Sequence, residues 1–441
     1  MKSFGHASAY VWSASVVALA AGLALPQSAH AQSAPAPQDA SKPADSTTGD
    51  DIVVTGVRAS LERSIAIKRN STGIVDAISA EDIGKFPDTN LAESLQRITG
   101  VSIDRVNGQG AQVTVRGFGP SFNLVTLNGR TLASSYVQTV GGDESADGTV
   151  GVTRSFDFSN LASEGVKTLE VYKTGRAAVP SGGIGATINV VTRRPLDSRQ
   201  SGFNGTLGGK LNYDTSANDC VDCGSKVTPE ITGLASWSNP DQTFGVSLFG
   251  SYQERHFSTV SATSNAWNIR TLADFLNPSN GFVNAATKIN NKPSDPNQLV
   301  SVPNDSRYHF SDDKYQRLNG QAIVQFKPTD ALTITADALF ARTLQDEQRS
   351  DESNWFNRPF DVVTFDSNKA VATTTYLHET IAGVKDTGFE QQARAQKNQL
   401  EDYGLNAKWD IAHNFTLTID GHYGKSSVLP NNSNGTSSTL V

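Results

Sequence analysis

Leu332-Thr333-Ile334-Thr335-Ala336-Asp337-Ala338-Leu339-Phe340 is the stretch on which the fold turns. Leu332, Ile334, Ala336 and Ala338 share one face of an extended chain; Thr333, Thr335 and Asp337 share the other. A two-residue period over that length is a strand pattern. Asp337 turned towards lipid would be costly, so the pattern places it on an interior face. Phe244, Val246 and Leu248 repeat the scheme in a second segment.

Amphipathic segments of this kind fill the chain after Pro195, at 202–213, 228–238, 243–254, 315–327, 331–343, 401–410 and 415–425. Each is close to the 9–11 residues that a tilted membrane strand needs. Their connections alternate in length. Short turns fall at 239–242, 328–330 and 411–414, and long polar connections at 214–227, 255–314 and 344–400. Tight turns at one end and long loops at the other are the habit of outer-membrane barrels. Trp409, Tyr423 and Tyr252 lie near the expected strand ends, where interface aromatics belong.

The composition agrees. The chain has 441 residues, 37 of them glycine, and a formal charge of -7. Glycine, Asn, Asp, Thr and Ser with scattered aromatics suit strands and turns better than helical bundles. No basic patch argues for nucleic acid. The motifs of serine hydrolases, zinc proteases and phosphate-binding loops are all missing, which argues against an enzyme.

Residues 59–195 read as a compact α/β unit. Strands are expected at 74–78, 101–104, 112–117, 166–172 and 186–192, with a helix after Asp88 or Thr89 that carries Leu91, Leu95 and Ile98 on one face. Asn128-Gly129 between 124–127 and 130–132 is a strong hairpin signal. Upstream, residues 1–31 have the build of a signal peptide, with an apolar stretch at 11–25 and Ala29-His30-Ala31 as the cleavage pattern. Residues 32–49 are an Ala/Pro/Ser/Asp tether. Asp51-Ile52-Val53-Val54-Thr55-Gly56 then stands as a β-prone run with no evident partner. It is either an ordinary first strand or a strand held out for another protein's sheet. A short helix is expected at 60–69, capped by Ser60. Cys220 and Cys223 are the two cysteines. In a cytosolic chain their spacing would suggest redox chemistry or half a zinc site; after export it reads as a small loop disulfide.

Taken in order, these motifs resemble a TonB-dependent outer-membrane receptor. Asp51–Gly56 in the 50–58 stretch is similar to the TonB box. Residues 79–83, 91–95, 98–101, 115–117, 127–129 and 182–190 resemble successive plug motifs. Residues 84–88, 105–108 and 117–120 look like the branch common in Xanthomonas- and Caulobacter-type bacteria.

The resemblance implies an α+β plug at 59–195 and a transmembrane antiparallel β-barrel of about 22 strands, of which 196–441 would be the N-terminal portion. About seven strands cannot close such a barrel, so the chain is expected to be an N-terminal part or a truncated reading frame. It further implies TonB with ExbB and ExbD as partners, outer-membrane lipid around the wall, an extracellular small-molecule substrate and no cofactor or metal. Oligosaccharide is the expected cargo, with ferric siderophores as the alternative and a passive porin outside active transport. Phe118, Phe122 and Tyr136 are candidates to touch ligand, with Trp267, Trp355 and Phe356 in the outer loops. Arg116, Glu164, Arg176 and Arg193 resemble charges that hold plug to wall.

Overall fold

The computed structural model describes residues 55–79, 90–106, 108–134, 154–198, 201–265, 267–433 and 437–440. The signal peptide, the tether and Asp51–Val54 lie outside the described residues, as do Tyr136 and most of the 134–149 loop. The first element is helix α1 (Thr55–Asn70). It begins earlier than expected, so Thr55, Gly56, Val57 and Arg58 are helical, and Ser60 is a helix-interior residue rather than its cap. Lys68 and Arg69 do end it, on the side that the helix dipole favours.

The α/β unit is built on a sheet of order β1-β6-β7-β4-β5. Its strands are β1 (Val75–Ser79), β4 (Asn123–Leu127), β5 (Arg130–Thr131), β6 (Val166–Tyr172) and β7 (Ala186–Thr192). β4 and β7 run parallel and the other pairs are antiparallel. A separate ribbon pairs β2 (Val101–Val106) with β3 (Gln109–Val115). Helix α2 (Leu91–Leu95) is capped by Asn90, whose side chain accepts from the backbone N–H groups of Ala92 and Glu93. Asn is as good a cap as Asp, and it stands one residue beyond the pair that sequence pointed to.

The wall is an open antiparallel sheet with β8 and β19 at its edges, in the order β19-β18-β15-β14-β10-β9-β8. Its members are β8 (Gly202–Tyr213), β9 (Val227–Ser238), β10 (Phe244–Asn265), β14 (Asp305–Thr329), β15 (Leu332–Trp355), β18 (Gly388–Ala412) and β19 (Phe415–Pro430). β8 has the expected bounds. β10, β14, β15 and β18 are about twice as long as expected, because pairing continues after the lipid-facing alternation stops. Tyr252 and Tyr423 therefore lie within long strands instead of at their ends, and Trp409 keeps its place near the lower turn. The polar stretch at 431–438 does not simply open an outer loop: β20 (Ser437–Leu440) pairs with β18 again above β19.

Above the wall, the two longest connections fold together. β11 (Asn268–Thr271), β12 (Lys288–Asn290) and β13 (Leu299–Val302) come from one, and β16 (Val362–Phe365) and β17 (Val371–His378) from the other. They form one sheet, joined by the parallel pairs β13–β17 and β12–β16. Helix α3 (Leu272–Leu276) packs Phe275 beside Phe282, Phe365 and Val300 in a core of its own. Arg270 and Arg358 lie over the Phe282 ring at 4.1 and 4.0 Å. Sequence reading treated these segments as polar loops and missed this cap.

Candidate functional site

The α/β unit and the wall share one hydrophobic core. Leu91, Leu95, Val115, Leu169 and Ile188 from the unit cluster with Leu339 and Ala341 of β15 and Leu400 of β18. The wall thus closes the apolar side of the inner unit. Gly165 marks the approach: a Cβ there would come within 2.8 Å of the Phe249 ring and 2.9 Å of the Gln321 amide, both on the wall.

Polar contacts fix the docking. Arg130 opens β5 directly after the Asn128-Gly129 turn, whose positive φ angles of 52° and 89° make the tight hairpin. The turn is pinned to β7. The Asn189 side chain accepts the Gly129 N–H at 2.9 Å, and Asn128 Oδ1 accepts the Thr192 N–H at 3.0 Å. Arg130 is thereby aimed at the wall. It makes a two-pronged bond to Asp337, with Nη1 at 2.9 Å from Oδ2 and Nη2 on Oδ1. Asp402 and Asp420 stand 3.8 and 3.9 Å from the guanidinium. Asp337 faces inward, as its alternation requires.

Register explains the fit. Asp337 on β15 is level with Gly404 on β18 and His422 on β19. Gly404 leaves the gap that the Arg130 guanidinium fills; a Cβ there would overlap it. His422 Nε2 donates to the Thr131 carbonyl at 3.1 Å. Arg130 and Asp337 are 5% and 7% exposed and Asp402 is fully buried. Neither carboxylate oxygen of Asp402 has a hydrogen-bond partner. A dry guanidinium facing three carboxylates holds the unit in one register, and any movement of it must separate charges in a poorly solvated place.

A second contact lies further up the wall. Arg317 donates to the Ser159 carbonyl at 2.8 Å, Tyr315 to Ser159 Oγ at 3.1 Å and Thr343 to Asn160 at 2.6 Å. The turn that offers these groups is capped by Asp157, which accepts from the Ser159 amide and hydroxyl. Burial pushes the Asp157 carboxyl above its ordinary range against the pull of those two bonds.

The expected holding charges divide. Glu164 accepts from Lys210 of β8 at 3.1 Å, a contact to the wall. Arg116 donates to the Gly185 carbonyl, and Arg176 donates to Ser71 and lies over Tyr172; these partners are inside the unit itself. Arg193 has a buried Nε atom. Arg130 was missed, although its cue was present: a basic residue right after a hairpin turn, and an inward Asp in the wall.

Phe118 and Phe122 are 42% and 51% exposed and meet edge to face with centroids 6.3 Å apart. Trp267 and Trp355 are partly exposed, whereas Phe356 packs against the cap core. Cys220 and Cys223 are joined in a disulfide. Asp312 lies beside the two sulfurs but accepts the Val221 and Asp222 amides at 2.9 and 2.7 Å. With both sulfurs in the disulfide, no thiolate is left to bind a metal here.

Residues 67–187 match the family described as TonB-dependent Receptor Plug Domain. The ferric enterobactin receptor PirA of Pseudomonas aeruginosa is 32% identical over 130 residues, 28% of this chain and 17% of that protein. Among solved structures, the siderophore receptor PirA from Acinetobacter baumannii overlaps with a TM-score of 0.33 at 11% identity, covering 83% of this chain and 60% of that one. The unliganded ferric citrate transporter FecA gives 0.32 at 15%, covering 85% and 60%. This chain therefore spans well under two thirds of those proteins. Overlaps so loose leave the family match and the chain's own geometry to identify a plug domain and a strand wall.

Proposed function

We propose that this chain, whose residues 67–187 match the TonB-dependent receptor plug, is part of an outer-membrane receptor that imports a bound substrate on energy relayed through TonB. The observation that carries the reading is the shared core and the Arg130–Asp337 contact: a plug seated on the inner face of a strand wall blocks passive flow and must be moved to open it. The outer membrane has no energy source of its own, so the movement needs a pull from the periplasm. Asp51, Ile52, Val53, Val54, Thr55 and Gly56 are the proposed TonB-binding segment, gripped by backbone pairing to TonB's sheet, with ExbB and ExbD behind it. Thr55 and Gly56 are helical here, so gripping at those two would require the first turn of α1 to unwind. Helix ends fray at small cost, which makes that change accessible.

The relatives whose names state a cargo take ferric enterobactin or ferric citrate. A ferric chelate is therefore the favoured substrate, in place of the oligosaccharide expected from sequence. The exposed Phe118–Phe122 pair keeps oligosaccharide as the second reading, because aromatic faces stack on sugar rings.

Energised uptake by cells expressing the receptor tests both. Ferric siderophores and labelled oligosaccharides are offered side by side, with Val54→Pro as the uncoupled variant, since Pro removes an N–H from the pairing edge. Iron uptake lost in the variant, with surface binding kept, is expected. Uptake unchanged by Val54→Pro would overturn the coupling role, and uptake of sugar alone would overturn the substrate.

A further inference from the structure

The outward face of the wall carries three levels. The lowest is apolar: Phe244, Val246 and Leu248 on β10 lie level with Phe326, Val324 and Ala322 on β14, and Ile334, Ala336 and Ala338 continue the band on β15. Directly above it come three basic residues, Arg342, Lys397 and Lys314, on three neighbouring strands. None has an ion-pair partner among the described residues. Arg342 and Lys397 are one diagonal step apart across the β15–β18 pair, about 7–8 Å by sheet geometry.

Higher still the surface changes again. Val260 pairs with Phe310, and Ala262 with Tyr308. Phe389 lies across Glu352 from Tyr308. Val260, Phe310, Tyr308 and Phe389 are 59%, 40%, 61% and 66% exposed, although this level is far above the apolar band. From Leu318 to Phe310 the strand climbs about 26 Å at roughly 3.3 Å per residue, or about 20 Å of height at a membrane tilt of ~40°. Here a pocket of about 500 Å³ opens beside the disulfide loop. Val221, Phe310, Asp312, Gln348, Ser350 and Gln391 line it.

We infer that this column is a docking site for one glycolipid of the outer leaflet, with its phosphates on Arg342, Lys397 and Lys314 and neutral sugars of its headgroup in the Phe310 pocket. Three arguments commit the surface to that occupant. The column continues upward from the lipid-facing band, so what binds it is anchored in the same leaflet. The unpaired cations lie immediately above the hydrocarbon, at the level of headgroup phosphates. The pocket level carries carboxylates, amides and aromatic faces without a cation, which suits uncharged sugar hydroxyls and C–H faces and repels phosphate. This inference rests on the reading of the wall as membrane-spanning and is independent of the transported substrate.

The test uses the full chain in detergent micelles, titrated with lipopolysaccharide bearing a complete core oligosaccharide, with lipopolysaccharide truncated to its lipid anchor and first sugars, and with phospholipid. Protease protection in liposomes is measured alongside. The complete form is expected to bind about tenfold more tightly than the truncated one. Phe310→Ser with Tyr308→Ser should erase that difference, and Lys314→Gln with Lys397→Gln should weaken both forms about tenfold. Both pairs change exposed or half-exposed wall positions, so the plug contacts stay intact as a folding control. Equal binding of the two forms, or of phospholipid, by a liposome-protected chain would overturn this inference alone. A chain left unprotected in liposomes would overturn the spanning reading with it. Retention of a protein at this face with no glycolipid preference would also overturn it.

Discussion

Replacing Arg130 by Gln would be felt where the plug meets the wall. The side chain is 5% exposed and forks onto Asp337, itself 7% exposed, with fully buried Asp402 at 3.8 Å. Removing one partner of a buried pair leaves the other charge uncompensated, at a cost of about 3–5 kcal/mol. Three carboxylates would then face each other without a cation. At 1.4 kcal/mol per tenfold, the local opening equilibrium should rise by about 10²–10³. Hydrogen exchange of the detergent-solubilised chain reads this directly, because the Leu132 N–H donates to Val125 and the Gly129 N–H to Asn189 in the same hairpin. Peptides covering 123–132 should exchange faster by that factor while the cap, which has its own core, is unchanged. Asp337→Asn added to Arg130→Gln should restore part of the protection, since it removes a stranded charge. A single variant within threefold of the parent, or a double variant no better than the single, would refute the electrostatic account of the docking.

Phe275→Ala should cost about 3–5 kcal/mol, the range for a fully buried aromatic, and expose both halves of the cap to protease together, with the plug still protected. Cleavage of one loop alone would contradict the shared sheet. Cys220→Ser with Cys223→Ser removes a cross-link of sequence separation 3 and should destabilise by about 2 kcal/mol, confined to exchange at 214–226. Asp76 takes bonds from Lys173 at 2.6 Å and Lys68 at 2.7 Å; burial pushes its carboxyl up, but the two cations outweigh that and hold it below the ordinary 3.8. A depressed pKa stabilises above the unfolded value, so the α1–β1 clamp should be intact above that pH and weaken as pH falls through the lower folded value. With Lys68 well exposed its share is about 0.2–1 kcal/mol. Amide exchange in α1 and β1 that rises in acid, and no longer depends on pH in Asp76→Asn, is the expected result.

Sequence showed most of the architecture because period and turn chemistry write it plainly. β8 and the Asn128-Gly129 hairpin fell where alternation and the turn signal put them, and Asp337 took the face its neighbours dictate. Strand length was illegible for a physical reason. Above the lipid, both faces of a strand meet water or polar groups, so alternation ends while backbone pairing goes on; Gln348 and Glu352 are as much strand as Ile334. The cap was hidden because its core is assembled from two segments far apart in the chain, Phe282 from one and Phe360 from the other, neither apolar enough alone. The Arg130 contact depends on a gap at Gly404, and a missing side chain leaves no pattern to read.

The place of β1 sets how the plug would yield under load. It is an outer member of its sheet, paired only with β6, and its first residue, Val75, sits opposite Tyr172 at the margin of that pairing. Tension entering through α1 would meet these bonds one after another, as a zip does, and each rupture would need little force. β7 is flanked on both sides, by β6 and β4, and its ladders would have to slip together. The molecule therefore has a compliant end and a stiff middle. The Lys173–Asp76 bridge acts as the stop at the top of the zip, and the force at which it parts sets the threshold for everything that follows.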